Sequence, residues 1–128
     1  MMDSTSANYA RTYYGERDIV FAIREYLQVL ENLGKIIWWE RLQAGDIIEA
    51  RGETRRRVRL CRAGTPDFIV VSPEECDDGN IRPMVSFLEV KHKTKLTPDQ
   101  QDFANKMADN GIKCYVIRSI EEVQAIWR

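Results

Sequence analysis

The first regular pattern in the chain is an apolar repeat with the period of an α-helix. Apolar side chains recur at intervals of three and four residues at Ile19, Val20, Ile23, Tyr26, Leu27 and Leu30. Glu16 opens this segment, and Gly34 supplies a C-cap at its end. The spacing predicts an amphipathic helix of about five turns. Glu16 lies one turn before Ile19 and Val20 on the apolar face and is expected to point towards the sheet, whereas Glu25 is about 180° away and faces water.

Several later segments have the composition of β-strands. Aromatic, β-branched or alternating apolar residues fill the ranges 35–42, 57–61, 68–71, 87–91 and 112–117. Trp38 and Trp39 must point to opposite sides of the first strand, so one is expected in the core and the other at the surface. Residues 57–61 alternate as a half-buried strand should, and Val58 and Leu60 are expected to share one of its faces.

Glycine, proline and capping residues mark the connections. They predict a turn within 47–54 and an irregular loop over 72–83. Thr97 has the character of a helix N-cap, Pro98 suits the first helical position, and Gln100 completes a Thr-x-x-Gln capping box. A helix should therefore begin at Pro98, followed by a strand and a short terminal helix.

The order of these elements predicts an α/β domain with a central mixed sheet flanked by helices. A strand, a helix and a strand in succession make a crossover between parallel strands. We expect residues 15–128 to form this one domain and residues 1–14 to be loosely ordered. A chain of 128 residues, 44% apolar and 30% charged, has ordinary globular composition.

Composition and targeting signals exclude several classes of protein. No apolar run approaches the ~18 residues of a membrane span, and the first residues lack the pattern of a signal peptide. Cys61, Cys76 and Cys114 have no metal-ligand spacing, so a zinc site is not expected. These features predict a cytoplasmic protein with reduced cysteines and no small-molecule cofactor.

Two acidic residues and a lysine form the candidate reactive group. Glu89 and Lys91 are two residues apart in a strand and must share one face of the sheet. Asp67 follows a Gly-Thr-Pro turn where another strand begins, so it can lie beside Glu89 if the two strands pair. Carboxylate oxygens are the ligands that Mg²⁺ prefers. Solvated or ion-paired charges on a hairpin would give the same local pattern.

These motifs resemble those of a nuclease family. Pro66-Asp67, Glu89-Val90-Lys91 and the 96–100 segment with Gln100 are similar to the signature of the PD-(D/E)XK nucleases, specifically of a stand-alone VRR-Nuc domain of bacterial or phage type. The resemblance extends from about Glu16 to Glu122. It implies a restriction-endonuclease-like core and metal-dependent hydrolysis of DNA, often of branched DNA.

The resemblance also implies roles for individual residues. Asp67, Glu89 and the Val90 carbonyl would hold Mg²⁺ or Mn²⁺, with Glu16 as an additional carboxylate. Lys91 would position the attacking water, and Gln100 would orient Lys91 or that water. A helix-start glutamate and a capping-box glutamine remain equally simple explanations of Glu16 and Gln100.

Clusters of basic residues flank the candidate site although the net charge is −1. The expected contacts to DNA phosphates come from Arg41, Arg55, Arg56, Arg57, Lys93 and Lys95. Arg41 could instead form an ion pair with an acid, and the arginine run could protect a sheet edge. A domain this small is expected to need a homodimer to engage two arms of a four-way or other branched DNA. A non-catalytic DNA-binding module and an RNA-directed nuclease remain alternatives.

Overall fold

The computed structural model describes residues 15–128, and the expectation for residues 1–14 lies outside them. The helices are α1 (Glu16–Asn32), α2 (Pro98–Asp109) and α3 (Ile120–Ile126). The strands are β1 (Trp38–Arg41), β2 (Asp46–Arg51), β3 (Thr54–Arg59), β4 (Phe68–Glu75), β5 (Ile81–Val90) and β6 (Lys113–Ile117). No helix among these residues is long and apolar enough to cross a membrane.

A four-stranded mixed sheet organises the molecule. Its strand order is β1-β4-β5-β6, with β1 and β5 antiparallel to β4 and with β6 parallel to β5. Helix α2 connects the two parallel strands, as the sequence predicted. Strands β2 and β3 form a separate two-stranded antiparallel sheet. The prediction of an α/β fold with a central mixed sheet and flanking helices is confirmed.

Helices α1 and α3 pack on one face of the sheet and enclose the main core. Apolar side chains of α1 are buried together with Ile36 of the connection to β1 and with residues of β4, β5, β6 and α3. The cluster consists of Ile19, Ile23, Leu27, Leu30, Ile36, Phe68, Val70, Leu88, Val90, Ile117 and Val123. Helix α2 packs on the opposite face, where Phe103 meets Phe87 edge to face with ring centroids 5.1 Å apart. Trp39 packs against the core and Trp38 is exposed, which confirms the expected division between the two tryptophans.

The expected loop over 72–83 is wrong. Strand β4 continues to Glu75, and β5 begins at Ile81, so only a short turn separates them. Prolines lack the N–H that a sheet ladder needs and are usually read as strand breakers. Here Pro73 and Pro83 lie directly opposite each other, which confines the missing donors to one rung of the ladder.

The segment before the first acidic motif also differs from its prediction. Residues Ile47 and Ile48 belong to β2, which pairs with β3, and only the centre of the predicted turn is a turn, at Gly52 with φ +60°. The predicted strand over 57–61 is present as far as Arg59, the end of β3, and Val58 is half-buried in it, but Leu60 lies beyond the strand and is exposed. No residue of the hairpin is fully buried. The β2–β3 hairpin, residues 46–59, therefore projects as an arm from the end of β1.

Candidate active site

The Gly-Thr-Pro-Asp turn holds Asp67 at the start of β4. Gly64 has a φ of +88°, which favours glycine, and a Cβ there would lie 2.5 Å from the carbonyl oxygen of Asp99. The turn therefore packs directly against the first turn of α2. The Asp67 N–H donates to the Leu88 carbonyl at 3.0 Å, and its Oδ2 accepts the N–H of Val90 at 2.7 Å. These bonds attach Asp67 to β5.

Strand pairing brings Glu89 next to Asp67. Phe68 pairs with Leu88, so the same register places Asp67 opposite Glu89 on the face of the sheet covered by α2. Glu89 is only 5% exposed. Its burial, together with the neighbouring Asp67 carboxylate, raises the pKa of Glu89 from 4.5 to about 8. The positive charge of Lys91 opposes this rise, and a hydrogen bond to Asp67 and the charge of Glu16 add to it.

Lys91 lies directly after β5 and is buried as well. Lys91 is only 8% exposed, and its backbone N–H donates to the carbonyl oxygen of Ile117 at 2.9 Å. Its charge acts on Glu89, but no carboxylate oxygen within residues 15–128 lies within 4.0 Å of the ammonium group. Asp67, Glu89 and Lys91 thus lie in one group, and Lys91 forms no direct ion pair with a carboxylate of the described residues.

Gln100 connects the capping box to the acidic pair. Its side-chain Oε1 accepts the backbone N–H of Thr97 at 2.9 Å, and its backbone N–H donates to the Thr97 hydroxyl. These two bonds complete the predicted capping box. Its Nε2 donates to Glu89 Oε1 at 3.0 Å. The two explanations considered for Gln100 are therefore compatible, because one side chain caps the helix and also holds a carboxylate.

Arg41 is bound to Asp67. Its guanidinium Nη1 lies 3.2 Å from Asp67 Oδ1 and donates to the Asp67 carbonyl at 3.1 Å and to the Leu42 carbonyl. The guanidinium also lies 5.4 Å from the centre of the Phe68 ring. Of the two possibilities for Arg41, the ion pair is the one that the structure contains, and its acid is Asp67.

An open cleft leads from this group to the solvent. Two adjoining cavities of about 580 and 400 Å³ share Glu16, Arg41, Gln43 and Asp67 in their walls. Glu89 and Gln100 line the smaller one, whereas Lys91 lines neither. Glu16 is exposed and borders both cavities, and Glu25 borders neither, in agreement with the expected helix register. We call these two cavities together the cleft.

The carboxylates suit a hard divalent cation with few protein ligands. Burial beside a second carboxylate makes a negative charge on Glu89 unfavourable, and a divalent cation would offset that repulsion. Within residues 15–128, no group of three or more His, Cys, Asp and Glu side chains is arranged to hold a metal. Mg²⁺ usually binds one or two carboxylates and keeps several waters, so it does not need a site built entirely from side chains. The two carboxylates of Asp67 and Glu89 fit this mode of binding.

The basic residues expected to bind DNA lie in three places: Arg41 is beside Asp67, and the others lie in the β2–β3 hairpin and in the connection between β5 and α2. In the β2–β3 hairpin, Arg56 lies opposite Glu49 on one face, and Arg55 and Arg57 lie on the other. Glu49 pairs with Arg56 at 3.2 Å, and Asp46 lies 3.9 Å from Arg57, so both faces are partly neutralised. Exposed Lys93 and Lys95 lie in the connection between β5 and α2 and do not border the cleft.

One cleft surface was not anticipated from the sequence. Arg17, Phe21 and Arg24 line the larger cavity, on the side of α1 next to Glu16. Their spacing of four and three residues was a sufficient signal, since it places them on one helix face. It was missed because the helical pattern was used only to find the buried side.

Comparison with known proteins identifies one family. The VRR-NUC domain matches residues 23–121, which is most of the chain. The matched range contains Asp67, Glu89, Lys91 and Gln100 but begins after Glu16. No curated protein and no solved structure matches the chain.

Proposed function

Because the chain belongs to the VRR-NUC family of nucleases with a PD-(D/E)XK fold, we propose that it is a metal-dependent endonuclease that hydrolyses DNA phosphodiester bonds. The observation that supports this most is the buried Glu89 carboxyl beside Asp67, with its pKa raised to about 8. Strongly perturbed carboxyl groups in a cleft are typical of catalytic sites. A surface that only bound DNA would gain nothing from acids placed against phosphate.

Asp67 and Glu89, with the Val90 carbonyl, are the residues proposed to hold Mg²⁺ or Mn²⁺, and Glu16 is proposed to assist at the mouth of the cleft. When bound, such an ion polarises the phosphate and activates water. Lys91 positions the attacking water from the same sheet face. Gln100 acts as a positioning residue, since its amide fixes Glu89 rather than Lys91.

Arg41 has a positioning role in this proposal rather than a role as a phosphate anchor. Its contacts with the Asp67 carboxylate and carbonyl fix the orientation of that acid against β5. Asp67 then presents its carboxylate to the cleft while both oxygens already have a partner in the protein. A carboxylate can accept further contacts at the remaining lone pairs, so these bonds leave room for a cation.

The first test replaces Asp67 with Asn. This change keeps the shape and an oxygen that can accept the Val90 N–H, but it removes one negative charge. We expect magnesium-supported cleavage to fall at least about a hundredfold, on the order of 3 kcal/mol of transition-state stabilisation. Binding of DNA in calcium should persist. Labelled linear, flapped and four-way DNA, with magnesium, manganese or a chelator, are the substrates, and undiminished cleavage would refute the assignment.

Replacing Lys91 with Ala tests the water-positioning role. We expect loss of cleavage with DNA binding retained. Metal affinity should be largely preserved, because lysine is not a ligand. Glu25→Gln is the matched control, since Glu25 is an exposed acid of α1 outside the cleft. Folded parent protein that cuts no DNA in any metal would favour the non-catalytic module, and preferential cleavage of an RNA strand would favour the RNA-directed nuclease.

The arginines of the β2–β3 hairpin are proposed to contact DNA phosphates. The outer face bears Arg55 and Arg57, with Asp46 3.9 Å from Arg57, whereas Arg56 shares the other face with Glu49 at 3.2 Å. Replacing Arg55 and Arg57 with Ala should reduce the slope of log affinity against log salt by up to about 1.8 on duplex DNA, with the larger share from Arg55 because Asp46 offsets part of the charge of Arg57. Arg56→Ala should change the slope less than Arg55→Ala, because Glu49 offsets the charge of Arg56. An unchanged slope in the double variant would assign the outer arginines to protection of the hairpin.

Selectivity for branched DNA and a homodimer complete the proposal. A single unit of this size presents one cleft, and two copies would allow paired cuts in a four-way junction. Exposed Ile37 and Trp38 on the edge strand β1 and its approach offer apolar area for contact between copies. Light scattering at micromolar concentration should give a dimer. A monomer that cuts four-way junctions symmetrically would refute the two-cleft argument.

The free thiols of all three cysteines suit a cytoplasmic setting.

A further inference from the structure

A stripe of two arginines and a phenylalanine lines the cleft beside the acidic pair. Around the axis of α1, Phe21 lies about 40° to one side of Arg17 and Arg24 about 20° to the other, so the three residues lie within about 60° of each other on one face. The two arginines are about 10 Å apart along the helix axis, with the ring between them. All three border the same cavity of about 580 Å³ as Asp67 and Glu16.

Phe21 is a large aromatic residue that is exposed in the cleft. Its side chain is 63% exposed, although large aromatic residues usually bury most of their surface. Val29 is also exposed on α1, at 51%, so exposure alone does not distinguish Phe21. The distinguishing feature is location, because Phe21 lies within the cleft and between two cations, whereas Val29 does not border the cleft.

The charge and shape of this face select one kind of occupant. An aromatic ring flanked by guanidinium groups is the arrangement on which unpaired bases stack while their phosphates contact the cations. Bases within a duplex are already stacked on each other and cannot offer a free face to the ring. The stripe therefore favours a polyanion with at least one unpaired base.

We propose that Arg17, Phe21 and Arg24 form a stacking site for an unpaired nucleotide of the DNA strand next to the phosphodiester that is cut. This inference rests on the proposed nuclease function, because it takes the cleft at Asp67 as the place of cleavage. Phe21 stacks on the base, and the two arginines contact the flanking phosphates. The site thereby gives a physical reason for preferring flapped or branched DNA over a continuous duplex.

Binding without cleavage tests the site directly. The affinity of the parent and of Phe21→Ala is measured in calcium, on a duplex with a single-stranded flap and on a blunt duplex of the same sequence. We expect Phe21→Ala to weaken flap binding about tenfold, equal to about 1.4 kcal/mol, and duplex binding less than twofold. Phe21→Trp should restore flap affinity, and its added indole fluorescence should be quenched by the flap alone. Val29→Ala is the control for an exposed apolar residue of the same helix and should change neither affinity.

The arginines are tested through salt dependence. Replacing Arg17 and Arg24 with Gln should reduce the slope for flap binding by about 1.4, since each phosphate contact to a single strand contributes about 0.7. Equal weakening of flap and duplex binding by Phe21→Ala would overturn the stacking site in favour of a general duplex contact. No effect of Phe21→Ala on either DNA would also overturn the stacking site, and a change in oligomeric state in its place would assign the stripe to a contact between copies.

These outcomes are separable from failure of the proposed function. If the parent cuts no DNA with magnesium or manganese but the flap preference still depends on Phe21, the nuclease proposal fails and the stacking site stands. If the parent cuts DNA and Phe21→Ala leaves flap affinity unchanged, the reverse holds. The calcium binding assay and the magnesium cleavage assay therefore judge the two proposals independently.

Discussion

The acidic pair is expected to destabilise the metal-free protein at alkaline pH. Burial and the Asp67 carboxylate raise the pKa of Glu89 from 4.5 to about 8, so the folded protein binds more protons than the unfolded chain between these values. Stability contributed by the protonated Glu89 is fully present below about pH 4.5 and is lost as the pH rises through about 8. The free energy of unfolding should therefore fall over this range.

The size of the effect follows from the same two values. At about 1.4 kcal/mol per pH unit, the difference between 4.5 and about 8 sets an upper limit of about 5 kcal/mol. The cleft admits water, and Lys91 can move towards Glu89, so we expect about 2 to 3 kcal/mol. That is a large part of the 5–15 kcal/mol by which domains are typically stable.

Urea denaturation in the presence of a chelator, at pH 5, 6, 7 and 8, measures this effect. The midpoint of the parent should decrease with pH at constant m value. Glu89→Gln removes the titrating group, keeps the side-chain volume, and should largely abolish the decrease. Glu25→Gln is the control and should behave as the parent. Magnesium should raise the midpoint of the parent at pH 8 and should leave that of Glu89→Gln largely unchanged. A parent midpoint independent of pH, or an equal decrease in Glu89→Gln, would refute the reasoning.

Three further substitutions examine the surroundings of the pair. Gly64→Ala should cost about 2 to 4 kcal/mol in urea denaturation, because it combines a positive φ with a clash against the Asp99 carbonyl. Gln100→Glu places another carboxyl against Glu89 Oε1, so the pH profile of kcat/KM should shift to higher pH. Lys91→Met removes the charge that lowers the pKa of Glu89 in the folded protein, so the decrease in urea midpoint should continue to a higher pH than in the parent.

Glu16 is tested by comparison with Glu25 on the same helix. Glu16→Gln should reduce cleavage and weaken metal binding, because Glu16 borders the cleft and its charge reaches Glu89. Glu25→Gln should change neither. Equal effects of the two substitutions would refute a specific role of Glu16 in the cleft.

Local rules were sufficient for the acidic pair. Side-chain alternation put Glu89 and Lys91 on one face, and the Pro66 turn put Asp67 at the start of a strand. The register of β4 and β5 then brought Asp67 opposite Glu89. The capping box at Thr97 was equally local, since its bonds join residues three apart. Each of these features depends on neighbours in sequence or on one strand pairing.

Predictions failed where distant partners decide the structure. The loop over 72–83 contained prolines that no local rule would place in a ladder, and they are tolerated because Pro73 and Pro83 face each other. The alternation of β3 looked half-buried, yet its partner β2 is itself exposed and offers no core. Arg41 was ambiguous in sequence because its acid, Asp67, lies 26 residues away.

Residues that build the fold and residues that build the site meet at the start of α2. Gln100 completes the capping box with one end of its amide and holds Glu89 with the other. Gly64 allows the turn before Asp67 to contact Asp99 in the same helical turn. Both acids are therefore held by contacts to the N-terminus of α2, which limits how far they can separate when both are charged. Because their separation is restricted, their repulsion persists in the metal-free state, and a cation that relieved it would meet a preformed group. A variant at either position that lost cleavage without losing stability would show that the helix terminus serves the site beyond its part in the fold.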